Sequence, residues 1–288
     1  MLFTPGNRLD MLEKAVRSGT DAVIVDLEDS VSIDSKPAAR ENLSSLPLSP
    51  IPYFVRTNAV ETGMLWEDVV AAGRSPAVGV IIPKAEDPQV ISRVDGALTA
   101  LELTEGRPVG STTVIPLIES AQGVRLTYEM AKASDRVECV MFGGGEQGDL
   151  VADLGVEWTP QGTGLMQARS QVLLSARAAG APYPMEAVFM DFRNPEGLRV
   201  ECELARTLGY IGKVAIHPSQ IEVINDVFTP SAEIVEYQRM VLAAFEEAEA
   251  EGKASIAVDG KMVDYAVARV ARAIIARAEA ASRAEREA

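Results

Sequence analysis

The stretch Thr113-Val114-Ile115-Pro116-Leu117-Ile118-Glu119 is a short apolar run closed by a carboxylate, and an amphipathic stretch over 121–133 follows at once. A run this short and this apolar reads as a strand buried on both faces, and the helix behind it completes one β-then-α unit. Working outward, the unit repeats. Further apolar runs lie at 2–3, 22–27, 53–56, 78–83, 138–142, 185–189 and 214–217. Helix signals fill the intervals at 8–17, 37–45, 65–72, 88–103, 164–179, 195–208 and 220–227, with prolines near several starts and glycines after several ends. Eight strand-plus-helix units predict an α/β chain closed into a (β/α)8 TIM barrel over residues 1–228. Beyond Thr229-Pro230 the pattern changes to a C-terminal helical extension, 229–288, with long helices expected at 232–251 and 265–286. Val267, Val270, Ala271, Ile274 and Ile275 form one stripe on the last helix, which predicts burial against the barrel or a neighbouring subunit.

The 288 residues, 47% of them hydrophobic, suffice for one barrel and its core. A formal charge of -15 opposes nucleic-acid phosphates, whose binding calls for a basic face. The only cysteines, Cys139 and Cys202, have neither metal-ligand spacing nor the look of a disulfide framework, which points to a reduced cytoplasm. Residues 1–6 lack the basic start and long apolar core of a signal peptide, and no apolar run is long enough to span a membrane.

Chemistry in such barrels sits at the C-terminal ends of the strands. There the sequence places Asp26, Glu28, Asp29, Arg56, Lys84, Glu119, Asp149 and His217. Glu119 and Asp149, the latter closing the turn Phe142-Gly-Gly-Gly-Glu-Gln-Gly-Asp149, are a carboxylate pair with no clustered His or Cys. Two oxygen donors with open positions suit a hard cation such as Mg2+. Lys84 as a Schiff-base lysine is the competing mechanism. His217, alone and followed by proline, reads as a structural hydrogen-bonding group.

The series Leu2-Phe-Thr-Pro-Gly-Asn-Arg8, Val25-Asp-Leu-Glu-Asp-Ser-Val31, Val55-Arg-Thr-Asn58, Ile82-Pro-Lys84, Leu117-Ile-Glu-Ser120, Asp149-Leu-Val-Ala-Asp-Leu-Gly155, Ala215-Ile-His-Pro218 and Asp259-Gly-Lys-Met-Val-Asp264 resembles the citrate lyase β-subunit-like family of the HpcH/HpaI aldolase superfamily, which includes malyl-CoA and citramalyl-CoA lyases. The resemblance implies a Mg2+-dependent carbon-carbon lyase that cleaves or forms malyl-, citramalyl- or citryl-CoA from a 2-oxo acid and acetyl-CoA. It further implies that Glu119 and Asp149 hold the metal, with Glu119 also at the substrate, and that Glu28 and Asp29 hold water at the metal and orient the site. Arg56 would grip the carboxylate of the oxo acid, and Asp264 would reach the site of an adjacent subunit in a homotrimer and handle the acetyl-CoA proton. Asn7 and Arg8, with Lys36 and Arg40, are the expected contacts of the CoA phosphates at the first two strand ends. One departure from the family pattern is the lengthened glycine turn, which puts Gly148 where a glutamate would precede Asp149. Glu146 is the carboxylate expected to compensate. Two alternatives belong to the same set of residues: a citrate lyase β subunit working with an acyl-carrier partner, and a CoA-independent 2-oxo-acid aldolase.

Overall fold

The computed structural model describes residues 1–159 and 161–287. Eight strands, β1 (Leu2–Pro5), β2 (Val23–Asp26), β3 (Tyr53–Arg56), β4 (Gly79–Ile82), β5 (Thr113–Ile118), β6 (Met141–Phe142), β7 (Met185–Glu186) and β8 (Gly212–Lys213), pair side by side in sequence order, every pairing parallel. An isolated parallel bridge joins Leu2 to Ala215, with Phe3 N–H donating to Ala215 O at 2.9 Å and Ala215 N–H donating to Met1 O at 2.8 Å. All four residues of β2 and of β4 are buried, as continuous apolar runs with covered faces require. Inward side chains of Ile24, Ile81, Ile115, Leu117, Met141 and Val214 form one core cluster.

The intervening helices are α1 (Leu9–Val16), α2 (Lys36–Asn42), α3 (Leu65–Gly73), α4 (Pro88–Thr104), α5 (Ala121–Arg125), α6 (Thr127–Lys132), α7 (Asp149–Leu154), α8 (Met166–Ala179), α9 (Pro195–Leu208) and α10 (Ile221–Phe228). Three expectations need correction. The helix expected over 121–133 is two short ones, because Leu126 leaves the helical region at φ -101°, ψ 13°. The apolar run 214–217 lies just beyond β8, whose ladder residues are Gly212 and Lys213. Gly73 ends α3 from inside the helix, where a Cβ would stand 2.7 Å from Leu101 Cδ1; it serves the close approach of α3 to α4 and not a left-handed cap.

Between sheet and helices lie two buried charge networks that the apolar pattern concealed. Arg136 donates through Nη1 and Nη2 to both oxygens of the fully buried Glu102 at 2.8 and 2.7 Å, and through Nε to Asp95 at 2.6 Å. Arg169 lies 3.1 Å from Glu186 and 3.3 Å from Glu201, and Lys213 3.4 Å from Glu201.

The chain divides into two compact units, Met1–Ile224 and Asn225–Ala288. In the second, α11 (Ala232–Ala250) and α12 (Tyr265–Glu287) flank an antiparallel hairpin, β9 (Ser255–Val258) and β10 (Lys261–Asp264). The hairpin turns on Asp259-Gly260, both at positive φ (49° and 74°). Val241, Phe245, Val263 and Ala268 make this unit's core. Of the expected stripe on α12, Ala271 is buried, Val267, Ile274 and Ile275 are half-buried and Val270 is exposed, while Ala268 beside them joins the core.

Candidate active site

Parallel register sets the site. Pro5, Asp26 and Arg56 are Cα partners across β1, β2 and β3, so Asp26 and Arg56 leave the sheet side by side. Asp26 is a charge at the end of an apolar strand, and a buried carboxylate needs a partner. Arg56 provides it as a fork, Nε to Oδ1 at 2.7 Å and Nη2 to Oδ2 at 2.8 Å. The same carboxylate accepts from Glu28 N–H at 3.0 Å and from Ser30 N–H at 3.1 Å and Oγ–H at 2.5 Å, folding the loop after β2 back on itself. Burial alone would raise the Asp26 pKa; Arg56, Ser30 and the Glu28 amide outweigh it and hold the carboxyl below its usual range. The Phe3 ring lies under the Arg56 guanidinium, 4.5 Å to the centroid. Fixed on one face and one edge, Arg56 keeps unused N–H groups for an incoming carboxylate.

That loop buries Glu28 between Arg56 and Lys84. Its Oε2 is 2.8 Å from Arg56 Nη1, yet the pair is not aligned as a hydrogen bond and Oε2 is buried without one. Burial first, then the charges of Asp29 and Glu119, push the Glu28 carboxyl up to about 8. Asp29 is exposed, its Oδ2 3.6 Å from Arg56 Nη1.

Lys84, two residues past β4, has a left-handed backbone, φ 50°, uncommon for a residue with a side chain. The turn aims its N–H at Glu119 Oε2, 3.1 Å away, and its Nζ stands 3.2 Å from Asp149 Oδ2 and 3.8 Å from Glu28 Oε1. Burial opposes the Lys84 charge, but Asp149 and Glu28 prevail and raise its pKa. A Schiff-base lysine needs the opposite, an amine freed of its proton near neutrality.

Glu119 follows β5, and Asp149 opens α7. Gly143 makes room for Glu119: a Cβ there would collide with Glu119 Cγ and stand 2.9 Å from Ile118 O. Burial, with Asp149 adding its charge, raises the Glu119 carboxyl to about 7. The lengthened turn places Glu146, Gln147 and Asp149 along one wall of a cleft of about 700 Å3, a size suited to a small organic ligand. Arg56, Lys84, Glu119 and Asp149 line the same cleft.

A divalent cation fits this donor set. The Glu28 and Asp149 carboxyls flank the Lys84 ammonium, Glu119 accepts from the Lys84 main-chain N–H beside them, and one buried oxygen of Glu28 is orphaned. Among the described residues no group of three His, Cys, Asp or Glu is disposed to enclose a metal. Two carboxylates with open positions are the arrangement of Mg2+, not of a structural cage.

Other residues singled out in the sequence fall elsewhere. Asn7 is half-buried with Oδ1 unpartnered, while Arg8 is exposed and forks onto Asp10 at 2.8 and 2.9 Å. Lys36, expected at a phosphate, is instead a buried latch whose ammonium donates to Leu27 O and Glu28 O at 2.8 Å and to Asn58 Oδ1 at 2.5 Å. Arg40 pairs with Glu67 at 2.6 Å and Asp68 at 2.8 Å. His217 caps the turn after β8, with Nδ1 accepting from Ser219 N–H at 3.2 Å, and stacks on Phe192 at 4.7 Å. Asp264 belongs to the second unit, where its Oδ1 accepts from Ala266 and Val267 N–H at the start of α12. Ser30 and Phe3 carry no role in the sequence reading, and Asp26, placed there at a strand end, is given none of its own although a charge in an otherwise apolar strand is a signal for one.

A family model described as HpcH/HpaI aldolase/citrate lyase matches residues 1–218. The citrate lyase subunit beta of Leuconostoc mesenteroides subsp. cremoris is 34% identical, over 97% of this chain and 93% of its own length. The L-malyl-CoA/beta-methylmalyl-CoA lyase of Rhodobacter capsulatus is also 34% identical, over 97% of this chain and 94% of its own. A crystal structure of CitE from Mycobacterium tuberculosis in complex with magnesium, acetoacetate and coenzyme A matches with a TM-score of 0.76 and 34% identity, covering 96% of this chain and 97% of that one.

Proposed function

Because the chain belongs to the HpcH/HpaI aldolase/citrate lyase family, we propose that it is a Mg2+-dependent carbon-carbon lyase acting on a 3-hydroxyacyl-CoA of the malyl type, releasing a 2-oxo acid and acetyl-CoA. The observation that carries this reading is the convergence of Arg56, Glu119 and Asp149 on one cleft. When bound, Mg2+ supplies Lewis-acid polarisation of the oxygen that becomes the keto group. Glu119 and Asp149 hold it. Arg56, locked by Asp26, receives the substrate carboxylate. In cleavage, the bond between the carbinol carbon and the thioester α-carbon breaks and its electron pair stays with the α-carbon as an enolate. The hydroxyl proton passes to the Glu28 side of the cleft, where Asp29 adds negative charge, and Asp264 of a neighbouring copy returns a proton to the enolate carbon. Asn7 and Arg8 stand at the end of β1 for the CoA phosphates.

The same reading takes the eight-stranded sheet as a closed (β/α)8 barrel, supported by the bridge between Leu2 and Ala215, with residues 229–288 as its extension. It takes the assembly as a homotrimer, supported by the exposed Ile234, Tyr237 and Met240 spaced along α11. It takes the location as cytoplasmic, supported by two free, buried cysteines.

The test is product analysis of malyl-CoA and citramalyl-CoA incubated with the protein. Acetyl-CoA and an oxo acid should form with Mg2+, stop on chelation and be lost in Asp149→Asn. Release of free CoA without acetyl-CoA would replace the lyase by a thioester hydrolase, and turnover only on a carrier-protein thioester would assign the chain to a citrate lyase complex.

A further inference from the structure

Two cations line the cleft among its described residues, Arg56 and Lys84, and both are committed. Arg56 serves Asp26 and Glu28 and has one fork left for a ligand. Lys84 is held between Asp149 and Glu28. The remaining charged lining is acidic: Asp26, Asp29, Glu119, Glu146 and Asp149. The rest of the wall is neutral: Leu117, Met141, Val188, Met190 and Ile216 give it an apolar stretch, and Thr4, Ser30 and Gln147 are its uncharged polar side chains. One carboxylate of an oxo acid therefore has a partner in Arg56, and a second would find no free cation among the described lining residues, only neutral groups or the like charge of Glu146. Burying an unpaired carboxylate is strongly disfavoured, and like charges brought together cost more.

We infer that the oxo-acid half of the substrate carries a single carboxylate, with hydrogen or a small alkyl group on its keto carbon. The thioester is then a 3-carboxy-3-hydroxyacyl-CoA of the malyl or alkyl-malyl class, and the citryl class, whose oxo acid is a dicarboxylate, is rejected by charge. This rests on the lyase reading above and narrows it. The lengthened turn after β6 and the loop after β7 become the specificity wall, through Glu146 and Met190. Neither residue belongs to the metal pair or to the Asp26–Arg56 fork.

Calorimetry on the full chain with Mg2+ separates the cases, using pyruvate, 2-oxobutyrate and freshly prepared oxaloacetate. 2-Oxobutyrate matches the reach of oxaloacetate without its second charge. Pyruvate and 2-oxobutyrate should bind at least about tenfold more tightly than oxaloacetate, the scale of one unpaired charge partly screened at the cleft mouth. Met190→Lys should bring a cation to the wall and narrow that ratio about tenfold, and Glu146→Gln should narrow it by a smaller factor while preserving side-chain shape. Oxaloacetate binding as tightly as pyruvate, or a ratio that neither variant moves, overturns the inference and leaves the lyase standing. Absence of Mg2+-dependent binding by all three acids refutes the lyase reading itself.

Discussion

Replacing Asp26 by Asn removes the charge that fixes Arg56 while changing little in volume. The fork of two hydrogen bonds at 2.7 and 2.8 Å becomes at best one, and an amide N–H must face either the guanidinium or the Ser30 hydroxyl. With Asp26 fully buried, breaking such a pair costs about 3–5 kcal/mol, because Arg56 loses its one hydrogen-bonded carboxylate and keeps only the unaligned contact with Glu28 and the longer one with Asp29. For a chain of this size that lowers Tm by on the order of 10 °C. Function should suffer separately. An Arg56 no longer held square to the cleft loses part of a charge-assisted hydrogen bond to the oxo acid, about 1.5–3 kcal/mol, or roughly 10- to 100-fold in Kd. Thermal melts and pyruvate calorimetry on Asp26→Asn, Arg56→Met and the double variant give the coupling energy directly. The pH dependence has a definite sign. The folded-state pKa of Asp26 is depressed, so its stabilisation is complete above the unfolded value near about 4 and fades as pH falls through the folded one. The gap between wild type and variant should therefore narrow in acid. A Tm within about 1 °C of wild type, together with an unchanged pyruvate Kd, would refute the claim that this pair organises the site.

Gly143→Ala puts a methyl group against Glu119 and the Ile118 carbonyl and should weaken Mg2+-dependent pyruvate binding by about tenfold or more, with Tm lowered by several degrees, read by calorimetry beside a melt. Borohydride reduction of the protein with pyruvate should leave Lys84 unmodified in a peptide map, since its neighbours keep the ammonium charged. Glu102→Gln should destabilise by about 1.5–3 kcal/mol with catalysis per folded molecule intact, because Arg136 loses its forked carboxylate and keeps only Asp95, and neither Glu102 nor Arg136 lines the cleft. For Glu102 burial favours the proton, but Arg136 and the Gly110 and Thr112 amides hold the carboxyl at about 2, so its contribution is present above the unfolded value and disappears as pH falls towards 2. Acid denaturation of the variant should accordingly show a weaker pH dependence in that window.

The sheet was legible because mostly apolar runs lie in or beside its strands and helical patterns follow them, a pattern that depends only on burial and period, although β7 and β8 themselves carry Glu186 and Lys213. The residues at the strand ends were legible for the same reason: Asp26, Arg56 and Glu119 interrupt or close runs that are otherwise apolar. Contacts that depend on where loops return were not. Lys36 lies ten residues beyond Asp26 in sequence, and nothing in its surroundings says that it turns back to latch the carbonyls of Leu27 and Glu28. The positive φ of Lys84 leaves no compositional mark, since glycine or asparagine would be the usual choice there. The hairpin of β9 and β10 is a different case. Asp259-Gly260 between alternating residues is a strong turn signal, and it went unread because two long helical patterns flank it. The networks around Arg136 and Arg169 were hidden because charged residues in amphipathic helices ordinarily face solvent.

Glu119 takes its orientation from a main-chain amide, that of Lys84, and not from a neighbouring side chain. A peptide N–H survives nearly every substitution at its own position, so the aim of this carboxylate is inherited with the path of the backbone. Meanwhile Glu146 and Met190 stand on loops whose side chains are free to change. Descendants of such a gene can exchange one acceptor acid for another through single codon changes at the rim while the device that steers Glu119 is transmitted untouched.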